Sequence, residues 1–482
     1  MKSLTRPVLW LLWLAMVFGL FNCYGPPVWS YQPKDRTEQM TKPEILDGMT
    51  LFQLLGVIVR NDSDTRRYSA YANAILGHPY NPYYVRPMKD WTHIEGVKTQ
   101  YRQNDIAKPE HPLLPWRDFS VEYPPGMLIF TILPALFTSD VDLYYTLFNL
   151  EMELLLTLSV FAAVRATDRL APGQGQRLLL YAVGATAACG FFAVRRYDAC
   201  VSAAIGLTFW SIAARRSSWG GAALALGVII KGAPILFAPL GALDYITARR
   251  WPELLRAAAA ASAVCLLTGA AYLLLAGEHW SDAFAYHRTR PLEIESTYAA
   301  LLIFLRAFIP DLVSGSVNTF GSSNIVSPAE PYLRPIASIA PIIAFLAIYI
   351  WAWRALRATR DDYQRLIVLA KTVCAIVVAY CALGKVFSPQ YVVWLIPAAP
   401  LASLGATATA RKMMFAALVL SQIEFPFAYT FLSGELHPEF GLLVLARNGA
   451  LIAWIVMLLK SQTETVGAKT LAEVLEPSAQ TT

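Results

Sequence analysis

Asn61-Asp-Ser-Asp-Thr-Arg-Arg-Tyr-Ser-Ala-Tyr-Ala-Asn-Ala-Ile-Leu-Gly-His-Pro-Tyr-Asn-Pro-Tyr-Tyr-Val-Arg86 is a polar, carboxylate-bearing and aromatic stretch in a chain that is otherwise mostly apolar. It closes in turn chemistry at Gly77, Pro79 and Pro82. Around it, 56% of the 482 residues are hydrophobic and only 15% are charged, against about 25% charged in a soluble domain. The apolar residues fall in long runs nearly free of ions, the mark of membrane helices. The stretch therefore belongs to a loop outside the hydrocarbon layer, between a first span and the rest of a helical bundle.

Lys2 and Arg6 precede an apolar run at 8–24. No small-x-small cleavage site follows Cys23, so this run reads as an uncleaved first span with its amino end in the cytoplasm. A first outer loop follows at 25–141. Within it, 49–59 reaches about 17 Å as a helix, short of the ~30 Å core. The segment 123–137 has prolines at both ends and reads as interfacial or re-entrant. Further spans are expected near 142–164, 177–193, 199–214, 219–231, 233–247, 254–276, 336–353, 366–384, 390–407, 413–431 and 441–459. Gly232 and Pro234 mark a tight joint inside 219–247. The sum is an all-α polytopic membrane protein of about twelve transmembrane helices, with residues 1–460 as one domain, a second large outer loop at 277–335 and a disordered cytoplasmic tail at 461–482.

Charge supports this threading. The cytoplasmic connections collect Arg165, Arg169, Arg215, Arg250, Arg365, Arg411 and Lys460, as the positive-inside rule requires. The net charge of +6 is explained by those loops; no basic face or RNA-binding aromatic motif points to nucleic acid. The cations that break the rule all fall at outer helix ends: Arg195, Arg196, Lys231, His287, Arg288, Arg290 and Lys385. Ionisable groups at membrane depth are costly and tend to mark substrate paths. Several cations at a water–lipid boundary suit an anionic phosphate headgroup, and a carboxylate among them suits acid–base work. The six cysteines lie in apolar runs with no Cys-x-x-Cys, so neither a metal site nor a disulfide frame is expected, and no cofactor.

Each residue also has a structural reading. Asp64 is a favoured helix cap, with Asp62 a rival for either role. Lys231 could snorkel from a helix end. Tyr80, Tyr83 and Tyr84 fit an interfacial belt, and Glu293 and Glu295 could simply pair with Arg288 and Arg290.

Taken in order, the chain offers Asp64-x-x-x-Tyr68, Gly77-x-Pro-Tyr80, Glu122-Tyr-Pro-Pro125, Gly227-x3-Lys231-Gly-x-Pro234 and Ser388-Pro-Gln-Tyr391-x-x-Trp394. This series resembles the GT-C superfamily of polyprenyl-phosphate-sugar glycosyltransferases, and within it the bacterial polyprenyl-phosphomannose-dependent α-mannosyltransferases of family 87. The resemblance implies a helical bundle whose first outer loop forms juxtamembrane helices over the active site. It implies an inverting displacement with the first-loop aspartate, here Asp64, as base. It places Lys231, His287, Arg288 and Lys385 at the donor phosphate, and Arg290, Arg196, Glu122, Tyr68 and Gln390 complete the candidate substrate contacts. Two departures stand out: Arg196-Tyr-Asp198 where many relatives have Arg-Gly-Gln, and an insertion at 31–47. The expected activity is transfer of a sugar, mannose first, from a polyprenyl-phosphate donor to a lipid, glycan or protein acceptor on the outer side of the cytoplasmic membrane. Another sugar on the same fold (arabinofuranose, galactofuranose or an aminosugar) and a transporter or lipid flippase are the alternatives.

Overall fold

The apolar runs fold as helices whose ends are set by capping side chains, prolines and glycines. The computed structural model describes residues 5–19, 63–88, 105–190 and 192–461. Helix α1 (Arg6–Leu14) runs into a π turn at Ala15–Gly19, and α2 (Ser63–Leu76) carries the opening stretch. Next come α3 (Met127–Ala135), α4 (Val141–Leu170), α5 (Gln174–Cys189), the single turn α6 (Phe192–Arg195), α7 (Asp198–Ala213), α8 (Ser217–Lys231), α9 (Ala238–Thr247) and α10 (Trp251–Ala276). A second polar region holds α11 (Asp282–Thr289), α12 (Thr297–Leu305) and an antiparallel hairpin of β1 (Gly315–Thr319) and β2 (Ser322–Val326). The chain continues through α13 (Glu330–Ala358), α14 (Asp362–Leu383), α15 (Ala398–Ser403), α16 (Ala408–Gln422), the short α17 (Tyr429–Leu432) and α18 (Pro438–Lys460). The expectations on Asp62, on 31–47, on 49–59 and on the tail beyond 461 lie outside the described residues.

Local chemistry sets the boundaries. Asp140 accepts from the N–H groups of Asp142 and Leu143 and so caps α4, while Ser296, Asp361 and Thr407 cap α12, α14 and α16; such caps are worth roughly 0.5–2 kcal/mol each. Gly232, at φ +72°, ends α8, and a 3-10 turn at Ala233–Phe237 leads into α9, so the 219–247 run is broken at its Gly-x-Pro. Two expected spans differ from their simple reading. The 390–407 run is a 3-10 turn (Pro389–Leu395) plus the six-residue α15, because Pro389, Pro397 and Pro400 withhold the N–H groups a continuous helix needs. The 413–431 run breaks at Phe425, which is extended (φ −123°, ψ 130°) ahead of Pro426.

Among the described residues, α4, α10, α13, α14 and α18 are long and apolar enough to cross a membrane, with shorter apolar helices at α1, α7, α8 and α9. The protein is an all-α polytopic membrane protein. Helix α14 is the axis, with 89% of its apolar window buried, whereas α10 has none and turns Leu266, Leu267 and Leu274 outward, as a lipid-facing helix does. Lipid is as apolar as leucine, so close packing holds such helices together. On α8, a Cβ at Gly221 would stand 2.0 Å from the Ala257 carbonyl oxygen of α10, which makes glycine a condition of that contact. At the helix ends opposite Lys231, Arg215 and Arg250 grip Asp362 (2.6 and 2.5 Å) and Arg365 grips Asp244 (2.8 Å). These ion pairs join the α7–α8, α9–α10 and α13–α14 turns.

Candidate active site

A helix advances roughly 100° per residue, so Asp64, Arg67, Tyr68 and Tyr71 share one face of α2. That face looks onto the bundle. Tyr68 is 1% exposed, packed 5.6 Å from the Phe148 ring of α4 and 5.5 Å from Tyr197. It anchors the helix and leaves Asp64, one turn earlier, at the edge of the bundle with a fifth of its side chain exposed.

Asp64 sits among alternating charges. Its Oδ2 lies 3.2 Å from Nε of Arg196 and its Oδ1 4.0 Å from Nη2 of Arg67. Arg67 in turn donates from Nη1 to Oε1 of Glu122 at 2.5 Å, and the Tyr71 hydroxyl donates to Oε2 at 2.8 Å. Burial opposes ionisation of Glu122, but the Arg67 charge and these hydrogen bonds prevail and hold its carboxyl below the ordinary value. Beyond Glu122 the Pro124-Pro-Gly126 turn docks on α8: the Gly126 N–H donates to the Ile229 carbonyl at 2.8 Å. A Cβ at Gly126 would fall 2.6 Å from that oxygen.

Two residues past Ile229 stands Lys231. Its Nζ donates to both oxygens of Asp198 at 2.7 Å, and Nε1 of Trp394 donates to Asp198 Oδ1 at 2.6 Å. The ammonium lies 4.6 Å from the Tyr197 ring centroid and 4.8 Å from that of Tyr391, within cation–π range. The Lys-Gly and Ser-Pro-Gln-Tyr motifs thus meet here, with Gln390 half-buried on the 3-10 turn beside Tyr391.

The second polar region closes over this end. His287 donates from Nε2 to the Glu122 carbonyl at 3.3 Å. Lys385 donates to the carbonyls of His287 and Arg288 at 3.2 and 3.1 Å. Arg290 lies 3.6 Å from Glu293, which also accepts from the Phe387 N–H. Desolvation and then the Arg290 charge push the His287 imidazole below its ordinary value; Lys385 is lowered by desolvation, then by Arg334 and Arg290. The cations crowd one another. The hairpin tip, Phe320-Gly321, has both residues at positive φ (54° and 66°), as a type I′ turn requires. It sets the Phe320 ring 4.9 Å from Tyr286 and the Gly321 Cα beside Arg67, whose Nη1 would be 3.3 Å from a Cβ there.

One end of the bundle therefore gathers Asp64, Glu122, Arg196, Lys231, His287, Arg290 and Lys385. Arg288 contributes its carbonyl while its side chain is exposed, and Tyr68 is a buried support. The sequence reading missed Arg67, which bridges Asp64 and Glu122, and Asp198, which holds Lys231 together with Trp394, a residue it had quoted only as the end of a motif. Arg67 was legible in principle, three residues after Asp64 on one helix face. Asp198 was noted only as a departure from a motif; its partner is 33 residues away and no local pattern links the two.

The profile of glycosyltransferase family 87 matches residues 121–389, more than half of the chain. The chain belongs to glycosyltransferase family 87. This membrane glycosyltransferase has no match among curated proteins. Solved structures similar to it include two of one protein. ArnT from Cupriavidus metallidurans bound to undecaprenyl phosphate shares 14% identity, covering 83% of this chain and 72% of that one, with a TM-score of 0.41. ArnT from the same organism in the apo state gives 14%, 82%, 71% and 0.39. Family membership makes the transferase an enzyme and sets the transporter alternative aside.

Proposed function

We propose that this family 87 glycosyltransferase moves a sugar, mannose in the first instance, from a polyprenyl-phosphate donor to a lipid or glycan acceptor with inversion, using Asp64 as the base. The observation that carries the reading is the juxtaposition at one bundle end of an accessible carboxylate with a crowd of cations. In the reaction, the acceptor hydroxyl gives its proton to a carboxylate oxygen of Asp64 as its oxygen bonds to the anomeric carbon. The bond from that carbon to the phosphate oxygen breaks on the opposite face, and its electron pair leaves with the polyprenyl phosphate. The leaving charge is stabilised by prepositioned donors. Lys231 has three N–H donors, two of them on Asp198; the third serves a phosphate oxygen. Arg196, Arg290 and Lys385 supply further charge, and an arriving phosphate offsets the repulsion that, after desolvation, lowers His287 and Lys385. Glu122 and Arg67 keep Asp64 oriented. The arginine-bearing turns at the other end support a cytoplasmic placement there, with both termini inside and the site on the outer face of the cytoplasmic membrane.

The test is transfer from radiolabelled polyprenyl-phosphomannose by purified protein in lipid nanodiscs. Asp64→Asn is expected to cut the rate by about 10²–10⁴-fold, the usual range for general base catalysis. An undiminished rate removes Asp64 from the mechanism. Transfer from a polyprenyl-phosphate arabinofuranose, galactofuranose or aminosugar, with none from the mannose donor, replaces the donor assignment.

A further inference from the structure

Helix α2 has a second face. Arg66, Ser69, Ala70 and Asn73 project roughly 180° away from Asp64, Arg67, Tyr68 and Tyr71. They line a half-open cavity of about 380 Å³ bordered by Tyr80, Asn81 and Tyr84 at and just after the Gly-x-Pro-Tyr segment, by Asp105 and by Asp140 at the head of α4. Ligand pockets run roughly 300–1,000 Å³. Of the tyrosines that the sequence suggested as an interfacial belt, Tyr80 and Tyr84 line this cavity: Tyr84 is 8% exposed, and the backbone of Tyr80 is tied to Ala107 by a pair of hydrogen bonds (2.8 and 2.9 Å). Asn73, 4% exposed, forms part of the floor.

We infer that this cavity is a binding site for a neutral sugar of the acceptor glycan, separate from the reaction centre. The chemistry of its walls selects the class. Flat phenol rings offer apolar surface with a polar edge, which suits the C–H face of a pyranose. Planar amide, guanidinium and carboxylate groups here already make contacts within the protein, Asp140 capping α4 and Asn81 accepting from the Tyr83 N–H, but each has more than one lone pair or N–H, so they can also meet sugar hydroxyls. One guanidinium, Arg66, stands against two carboxylates, Asp105 and Asp140, which disfavours a phosphate. A helix is about 10 Å across, so a sugar here is out of reach of Asp64 and holds the remote part of a longer acceptor, whose nearer end passes around α2 to the base. The assignment of the sugar to an acceptor rests on the transferase reading above; the pocket's affinity does not.

The experiment is saturation-transfer NMR on the full-length protein in phosphatidylcholine nanodiscs, with mannobiose and maltotriose as observed probes and inorganic phosphate, which has no carbon-bound protons, read by its competition with them. Saturable binding of at least one of the sugars is expected. Tyr80→Ala and, independently, Asp105→Asn should each weaken it at least fivefold, while Asp64→Asn should leave it within twofold. Asp105→Asn keeps the shape of the wall, so it reads the site even if Tyr80→Ala perturbs folding. Absence of saturable binding by both sugars overturns the proposal, as does phosphate binding tighter than either. So does sugar binding that is lost in Asp64→Asn and kept in the two pocket variants, which would place the sugar at the reaction centre. Because the readout is binding without transfer, a failure here is distinguishable from a failure of the catalytic assignment.

Discussion

The Lys231–Asp198 pair gives the sharpest energetic prediction. Asp198 is fully buried, Lys231 keeps 11% of its side-chain exposure, and the pair has two 2.7 Å contacts plus the 2.6 Å bond from Trp394. Removing one partner of a buried ion pair typically costs about 3–5 kcal/mol, because the other charge is left stranded. Asp198→Asn should fall at the lower end of that range: the amide oxygen still accepts from Trp394, and the lysine reaches some water. Lys231→Met should fall at the upper end, since it strands a carboxylate with no exposure at all. The double variant should cost less than the sum of the two, with a coupling of about 2 kcal/mol or more, within the range seen for groups in direct contact. Thermal unfolding followed by tryptophan fluorescence at one fixed scan rate measures this; the fixed rate matters because large membrane proteins unfold irreversibly. The same variants test positioning. A displacement of about 1 Å can cost 10²-fold in rate, so Asp198→Asn should lower kcat/KM for the donor about 10–10²-fold while Lys231 is still present. Adding it to Lys231→Met should then do little more. Strictly additive losses, or an Asp198→Asn enzyme with the wild-type melting profile and donor KM, would refute the account of this pair.

Other expectations follow from single contacts. Gly126→Ala forces a Cβ within 2.6 Å of the Ile229 backbone oxygen; overpacking of this kind costs about 1–3 kcal/mol, and the variant should melt earlier and turn over more slowly, whereas Gly269→Ala, which meets no neighbour, should not. Glu122 is held below its ordinary carboxyl value, so its contribution to stability is full above the unfolded-state value and lost as pH falls through the folded one; the gap in melting temperature between wild type and Glu122→Gln should be widest near neutrality and close in acid. His287 is lowered instead, so the unfolded chain takes up its proton first and stability falls as pH drops below about 6.5; His287→Gln should flatten that part of the pH–stability curve. Gly321→Ala, at φ +66° on the hairpin tip, should cost about 1–2 kcal/mol of backbone strain, seen as faster proteolytic nicking of the hairpin than in the wild type.

Composition and ion-poor runs alone determined that this is a helical membrane protein, because the hydrocarbon layer imposes its length and polarity on any chain that crosses it. The Gly232–Pro234 break was legible for a similar reason: backbone chemistry acts locally, and a missing N–H or a left-handed residue ends a helix wherever it occurs. The clustering of Asp64, Lys231, His287 and Lys385 at one end followed from threading alternate loops to alternate sides. The tertiary structure alone decided who holds whom. That Asp198 and Trp394 fix Lys231, that Arg67 ties Asp64 to Glu122, and that the back of α2 borders a cavity are consequences of packing between segments far apart in the chain. Coulomb attraction and hydrogen bonding depend on separation in space, and a sequence lists only separation along the backbone.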